Sequence, residues 1–363
     1  MLPDQLQLLV GGRTFTGWKS VRVRRSMVRC SGDFELGVSW EGRFGPGVPP
    51  IRVGDSCELR IDGELVLSGY VDQLEAQIDE QRHDVTVAGR DKTADLVDCS
   101  AVRKSGQWRA QKIETIAADL AQPFGVEVVA AVDTGKALAS FALQEGESVF
   151  EAIERAARLR ALLLVSNASG ALVITRAGQD RVDTALVLGK NVLAMRAARD
   201  MRDRFSSYVL KGQAPGSDKF AGPLTSQIYA KATDPDVPRH RPLIIVNDAP
   251  DVAATLAERA RWEASVRAAR STTLEAEVQG WRHASGLWLP NSLVRVVAAD
   301  LSIDDELLVT DVEYVKDEGH GTRCTLAMTR ADAFTQLPLR ASEVATAGAF
   351  KDWPSAVTAV LAR

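Results

Sequence analysis

The same series of β-strand signals occurs twice in this chain, roughly 240 residues apart, and this duplication limits the possible folds most strongly. In the first copy, the alternating segment Phe34 to Trp40 precedes strand patterns at 57–61, 65–72 and 84–91. The matching patterns of the second copy lie at 274–281, 293–297, 307–314 and 324–332. A turn with acidic residues stands before the third pattern of each copy, as the hairpin signal Asp62-Gly63 in the first and as Asp304-Asp305 in the second. Each copy ends on an Arg and an Asp. In a chain without a catalytic cluster, such a duplication favours a structural ring or a docking scaffold.

Composition excludes several classes of protein. With 363 residues, 45% of them hydrophobic, the chain is long enough for two or more domains with full cores. The 44 basic and 48 acidic residues give a net charge of -4, so no overall field attracts nucleic acid. The N-terminus lacks a basic segment followed by an apolar core, and apolar runs such as Ala161 to Val165 are far shorter than a membrane span. We therefore expect a soluble, cytoplasmically made protein with no stable membrane insertion.

The hydrophobic period changes from 2 to 3.6 after about residue 95, which predicts a small α+β domain between the two β copies. A stripe from Ile113 to Leu120 predicts one helix, and the capping box Ser148-x-x-Glu151 begins a second helix. On this second helix Phe150, Ile153 and Ala157 are predicted to share one face. A longer helix is predicted from Pro250 to Arg270. The predicted divisions are a first β domain at 1–95, the α+β domain at 96–188, a split second β domain at 189–213 and 271–335, an inserted strand and helix segment at 214–270, and a tail at 336–363 with a short amphipathic helix.

The sequence lacks the common motifs of catalytic, cofactor-binding and metal-binding sites. The sequence has no dinucleotide-binding, P-loop, zinc-protease or nucleophile-elbow pattern, and its four histidines lie far apart. The four cysteines form no C-x-x-C pair, so buried thiols are expected, with disulfides or metal ligands as the alternative. The carboxylates from Asp300 to Glu306 lack the glycine and distal glutamate of a calcium loop, which favours a solvated turn. We predict no catalytic, cofactor-binding or metal-binding residues.

Two arginine-rich segments stand at the start of the β copies. They comprise Arg22, Arg24, Arg25 and Arg29 in the first, and Arg196, Arg199, Arg202 and Arg204 in the second. The planar guanidinium fork binds carboxylates or phosphates at two points, which suits an interface. Three roles stay open from sequence: contacts between subunits, a solvated strand face paired with Asp33, Asp200 and Asp203, or contacts with nucleic acid.

Several blocks carry a resemblance to a known family. They are G-W-K-S-V-R-V-R-R-S at 17–26, G-D-F-E-L at 32–36, S-G-Y-V-D at 68–72, V-A-G-R-D-K-T-A-D-L-V-D-C-S at 87–100, G-E-S-V-F-E-A-I-E-R-A-A-R at 146–158, R-F-S-S-Y-V-L-K-G-Q at 204–213 and W-L-P-N at 288–291. With these blocks, residues 1 to about 335 resemble the baseplate hub family of contractile-tailed phages typified by phage Mu, within the late control and tail protein superfamily.

The resemblance implies a β-rich, multi-domain α+β fold with two related antiparallel β-barrel domains, a small α+β domain and a helical insertion. It further implies a ring-shaped homotrimer in the virion tail, in which three doubled subunits imitate sixfold symmetry. The implied partners are the central spike protein, the tail tube or tube-initiator protein and other baseplate proteins, with DNA passing through the lumen. A cell-wall-degrading tail enzyme, or the hub of a tailocin or a secretion-type machine, is the alternative.

The candidate residues follow from the arginine segments and the closing signatures. As ring-interface or barrel-closing positions we select Arg22, Arg24, Arg90, Asp91, Lys92, Arg204 and Asp332. In the tail, Trp353 and Leu361 recur at helical spacing and are the candidates for docking a partner. The same amphipathic segment could instead dock on its own domain, and the sequence leaves both possibilities open.

Overall fold

The computed structural model describes residues 4–39, 51–78, 83–178, 180–213, 227–250 and 253–335. The chain forms two compact units. The larger comprises Met1–Ala157, Leu162–Met195 and Glu275–Met328, and the smaller comprises Arg158–Ala161, Arg196–Leu274 and Thr329–Arg363. The tail candidates Trp353 and Leu361 lie outside the described residues.

Seven strands make up the first β copy. They are β1 Leu6–Val10, β2 Arg13–Phe15, β3 Ser20–Ser26, β4 Asp33–Ser39, β5 Ser56–Ile61, β6 Glu64–Ile78 and β7 His83–Asp91. Alternate residues are buried along them because successive side chains of a strand point to opposite faces. The predicted hairpin between β5 and β6 is confirmed, with Asp62 and Gly63 both at positive φ, as a two-residue type I′ turn requires.

Short helices and small sheets follow. The elements are α1 Ala94–Asp98, β8 Gln107–Gln111, α2 Ile113–Ala121, β9 Val128–Ala130, β10 Leu138–Ala142, α3 Val149–Arg158, β11 Leu163–Ser166 and β12 Leu172–Thr175. The capping box is confirmed, since Ser148 N–H donates to Glu151 Oε2 at 2.8 Å and Glu151 N–H donates to Ser148 Oγ at 3.2 Å. Of the three residues predicted to share one face of α3, Ile153 and Ala157 are buried and Phe150 is half-buried.

The remaining elements are β13 Asp180–Arg181, β14 Leu186–Val187, β15 Val192–Arg199, β16 Ser207–Gln213, β17 Gln227–Thr233, β18 Pro242–Pro250, α4 Ala253–Arg270, β19 Thr272–Gln279, β20 Arg282–His283, β21 Gly286–Leu287, β22 Ser292–Ala298, β23 Ile303–Asp317 and β24 Gly321–Thr329. Pro250 does not begin a helix as predicted. It ends β18, where its missing N–H is tolerated, and α4 starts at Ala253.

The two β copies have the same strand order. Within the described residues one 14-stranded sheet runs β15-β19-β24-β23-β3-β4-β7-β6-β5-β1-β2, and β22 also pairs with β23. The first copy therefore has the order β3-β4-β7-β6-β5, and the second has β15-β19-β24-β23-β22. The copies join where β3 pairs with β23. The fold is β-rich and multi-domain with few helices, while closure of each copy into a barrel stays a prediction.

The smaller unit has a sheet of its own. In it β16 pairs with β17 and β18 and, among the described residues, not with the strands of the second β copy. The core of this sheet is formed by Leu210 and Ala230 against Leu256 and Ala260 of α4. Leu256 and Ala260 stand one helical turn apart, which is the apolar spacing of a helix face that packs on a sheet. Such spacing does not determine which sheet a strand joins.

Candidate functional site

The β3·β23 pairing joins the two β copies, and ion pairs cross it. We call this pairing the seam. Its register runs from Asp311 opposite Ser26 to Lys316 opposite Val21. Arg24 Nη2 lies 2.7 Å from Asp311 Oδ1, and Arg22 Nε donates to Glu313 Oε1. Two of the predicted interface residues therefore lie at the seam inside one chain.

The two seam pairs differ in burial. The side chains of Arg24 and Asp311 are 19% and 7% exposed, whereas that of Arg22 is 52% exposed. The hydrogen bond with Glu313 raises the pKa of the Arg22 guanidinium. Burial raises the pKa of the Asp33 carboxyl, against the opposing charges of Arg24 and Arg22. Asp33 is thus a neighbour of these arginines, as expected, but the hydrogen-bonding carboxylates come from β23.

Removing the Asp311 carboxylate tests the seam. Asp311→Ala removes the carboxylate that the partly buried Arg24 guanidinium hydrogen-bonds and leaves Asp33 as its neighbouring charge, and we expect a loss of about 2 kcal/mol in the free energy of unfolding. The value is below that for a fully paired buried bridge because Asp311 Oδ2 is buried without a hydrogen-bond partner in the described residues. Urea denaturation measures it. Glu313→Ala is the control, with an expected cost below about 1 kcal/mol because Arg22 is half exposed. Equal losses in both variants would contradict this account.

The Arg90, Asp91 and Lys92 block closes β7. Arg90 Nε lies 2.7 Å from Asp72 Oδ2, and its Nη1 lies 2.8 Å from Asp98 Oδ2. The hydrogen bond with Asp72 raises the pKa of the Arg90 guanidinium. Asp91 is buried and accepts the Gly32 N–H at 2.7 Å, which ties the start of β4 to the end of β7. The block therefore fixes the end of the first β copy.

Arg204 is engaged within the smaller unit. Its Nε and Nη2 lie 2.5 and 3.0 Å from the two carboxylate oxygens of Asp234, and Nη2 also lies 2.6 Å from Asp236 Oδ2. The hydrogen bond with Asp234 raises the pKa of Arg204. Asp332 is exposed in a 3-10 turn, Ala331–Phe334, and does not reproduce the buried position of Asp91. The two copies therefore share the closing Arg and Asp in sequence, but Asp91 is buried and Asp332 is exposed.

The second arginine segment also contains the predicted local pairing. Arg202 Nη2 lies 2.5 Å from Asp200 Oδ2, and this hydrogen bond lowers the pKa of the exposed Asp200 to about 2. In contrast, Arg196 is exposed, and its side chain has no hydrogen-bond or ion-pair partner within the described residues. Local pairing therefore accounts for Arg202 and leaves Arg196 available.

The charged cluster around Arg282 was not predicted from the sequence. Arg282 lies within 3.9 Å of the carboxylates of Asp4, Asp62 and Glu64, and the hydrogen bond to Glu64 raises its pKa. These residues come from three separate parts of the sequence. The acidic turn at Asp62 was visible in the sequence, but no linear pattern links it to Arg282.

The cysteines are free thiols. Cys30, Cys57 and Cys324 are buried, and burial raises the pKa of Cys57 to about 12. Cys99 was expected to be buried as well, but it is exposed directly after α1. Among the described residues, no group of three His, Cys, Asp or Glu side chains is placed to hold a metal ion. No helix in the described part of the chain is long and apolar enough to cross a membrane.

Comparisons with known proteins match most of the chain. Residues 5–91 match the N-terminal domain model of the Mu phage baseplate assembly protein GpP-like family, 93–176 the second domain of gp44-like baseplate hub proteins, and 252–337 the fourth domain of GpP. The chain is 40% identical over 349 residues to the baseplate hub protein gp44 of Escherichia phage Mu, covering 92% of this chain and 89% of gp44.

Two solved structures extend the match to the fold. The 43 kDa tail protein of prophage MuSo2 from Shewanella oneidensis is 35% identical, with a TM-score of 0.80 over 91% of this chain and 99% of that protein. A tail protein from Neisseria meningitidis MC58 is 22% identical, with a TM-score of 0.76 over 92% of this chain and all of that protein, so it shows likeness of fold alone. The sequence and the fold thus match tail proteins along the same length.

Proposed function

The chain belongs to the family of Mu-like baseplate hub proteins, and we propose that it assembles as a homotrimeric ring joining the sixfold tail tube to the threefold central spike. It is a structural hub protein of a phage tail, and therefore a component of the virion tail. The ring, its symmetry and its neighbours are the parts that we propose.

The repeated strand order carries this proposal. Each chain contributes two β copies with the same order of strands, and the two copies are joined through one antiparallel pairing. Three such chains present six similar β copies, which suits a sixfold partner on one face and a threefold partner on the other. A duplicated unit is useful in an adaptor of this kind, because it doubles the number of similar surfaces that three chains present.

The proposed partners follow from this position in the tail. They are the central spike protein, the tail tube or tube-initiator protein and other baseplate proteins, with DNA passing through the ring without stable binding. The chain has a net charge of -4, which agrees with a lumen that does not retain a polyanion. Proteins that match over most of the chain are named as hub and tail proteins, which favours this role over a cell-wall hydrolase.

The mass of the purified full-length protein tests the proposed ring. We expect three times the chain mass by light scattering at micromolar concentration, because a permanent ring buries more than roughly 2,000 Å² at each contact. Dilution to nanomolar concentration should leave this mass unchanged. A strict monomer at micromolar concentration would contradict the proposal, and a cleared band on a peptidoglycan zymogram would contradict a purely structural role.

A further inference from the structure

Besides the three-residue strand β2 at one end of the strand order, two longer strand edges of the large sheet lack a partner strand within the described residues. One belongs to β15, which stands at the other end of the strand order. The other belongs to the second half of β6. Residues Glu64 to Tyr70 of β6 pair with β5, but from Gln73 to Ile78 only β7 pairs with it. Unpaired edges of this kind are templates for another strand.

The chain fills the equivalent edge in its other copy. In β23, Ile303 to Leu308 pair with β22, and Asp311 to Lys316 pair with β3 on the same edge. The two copies can be aligned by a shared hydrogen bond. Gly54 N–H donates to Val71 O, and Asn291 N–H donates to Val309 O, both at 2.8 Å. The unpaired β6 residues 73–78 therefore correspond to the β23 residues that β3 occupies.

The edge of β15 corresponds to that of β3. Arginines stand three apart in both strands, at Arg22 and Arg25 in β3 and at Arg196 and Arg199 in β15. Asp200, next to β15, donates its N–H to Ser271 O at 2.8 Å. Because N–H groups point to alternate sides along a strand, the N–H of Ala197 points away from β19 toward the open edge. The counterpart of Ala197 is Val23, whose N–H points toward β23 across the seam.

Burial differs between the seam and the two open edges. At the seam, the apolar side chains Val23, Val312 and Tyr314 are all 0% exposed. Their counterparts are Ala197 on β15, which is half-buried, and Leu74 and Ala76 on β6, which are half-buried and exposed. Leu193, on the same face of β15 as Ala197, is 50% exposed. The open edges thus carry apolar surface that an added strand would cover.

Charge at the two edges is complementary. By the same correspondence, Arg196 occupies the position of Arg22, and Glu75 occupies the position of Glu313. Arg22 and Glu313 form an ion pair at the seam. Arg196 and Glu75 are both exposed, and neither side chain has a partner within the described residues. A second copy of this chain supplies the missing partner for each.

We propose that β15 of one subunit pairs antiparallel with residues 73–78 of β6 in the next subunit, and so repeats the β3·β23 seam between chains. The contact is heterologous, because each subunit uses its β15 edge toward one neighbour and its β6 edge toward the other. Such contacts can close into rings. This inference rests on the proposed function, which supplies the ring, and it assigns the surface through which the ring closes. Arg196 of each subunit then pairs with Glu75 of its neighbour.

The substitution Ala197→Pro tests the pairing directly. Proline removes an N–H that faces the open edge, which an isolated edge strand tolerates but an intersubunit ladder does not. We expect the full-length variant to lose the trimer at concentrations where the wild type keeps it, with an unchanged circular dichroism spectrum. The matched control Ala197→Ser keeps the N–H and should remain trimeric.

Charge reversal provides a second test if Ala197→Pro does not fold. Arg196→Glu or Glu75→Arg places like charges opposite each other. We expect the dissociation constant of the trimer to rise about tenfold in either variant. The double variant restores opposite charges and should recover most of the affinity. Trimers of unchanged stability in the proline variant and in both single charge variants would overturn the edge pairing alone. A monomeric wild type would overturn the proposed ring together with it.

Discussion

Gly69→Ala is expected to destabilise the first β copy strongly, because the added methyl group has no room between two paired strands. A Cβ at Gly69 would lie 1.8 Å from the carbonyl oxygen of Arg90 and 2.6 Å from Cα of Asp91. Both atoms are backbone atoms of β7, which pairs with β6 at this point, so relief requires the strands to separate. We expect a loss of about 3–5 kcal/mol in the free energy of unfolding.

A second glycine provides the control for this experiment. At Gly286 no atom lies within 4 Å of an added Cβ, and the backbone is not in the left-handed region. We expect Gly286→Ala to change the free energy of unfolding by less than about 1 kcal/mol. Urea denaturation of both variants at one protein concentration provides the comparison, since assembly makes apparent stability depend on concentration. A Gly69→Ala variant as stable as Gly286→Ala would show that the β6 and β7 backbones are farther apart than described.

Asp91→Ala should have an effect of similar size for a different reason. The buried carboxylate accepts hydrogen bonds from Gly32 N–H at 2.7 Å and from Thr93 N–H at 2.9 Å, and its Oδ1 lies 2.6 Å from Thr93 Oγ1. Alanine removes the side-chain acceptor of the Gly32 and Thr93 N–H groups, while the Thr93 hydroxyl keeps Cys30 O as an acceptor. Each unsatisfied buried group costs about 1–3 kcal/mol. We expect a loss of about 3–5 kcal/mol in the free energy of unfolding.

Two further variants separate hydrogen bonding from other effects at Asp91. Asp91→Asn keeps one acceptor oxygen but turns an NH2 group toward a donor, so its loss should be intermediate. Asp84→Ala changes an exposed carboxylate on the same strand and should cost less than about 0.5 kcal/mol. Chemical denaturation ranks the three variants. If Asp91→Ala cost no more than Asp84→Ala, the carboxylate would not anchor the loop between β3 and β4.

Local features of the fold could be predicted from the sequence. The turn at Asp62 and Gly63 and the capping box at Ser148 and Glu151 each involve residues close in sequence, whose backbone preferences determine the structure. The duplication was also visible, because strand periodicity and turn residues recur in the same order. These signals identify which elements form, and in the first β copy they also locate them closely.

The neighbours of each strand could not be predicted. Arg24 finds its partner in Asp311, 287 residues away, although Asp33 stood nearer in sequence. A period of two indicates that a segment is a strand, but it does not identify the strand beside it. For the same reason the sequence did not show that β16 pairs with β17 and β18, and the cluster around Arg282 was missed. Long-range pairing depends on the whole topology, so the seam became visible only in the structure.

An electron microscopy map of the purified wild-type particle, at a resolution that traces strands, tests the central claim most directly. We predict a closed ring of three chains with six similar β copies, in which β15 of each subunit lies antiparallel beside residues 73–78 of β6 in the next. Alternate contacts around the ring should then be the β3·β23 seam within a chain and its repeat between chains. A particle that is monomeric, or a ring closed through other surfaces with both edges open, would contradict the account.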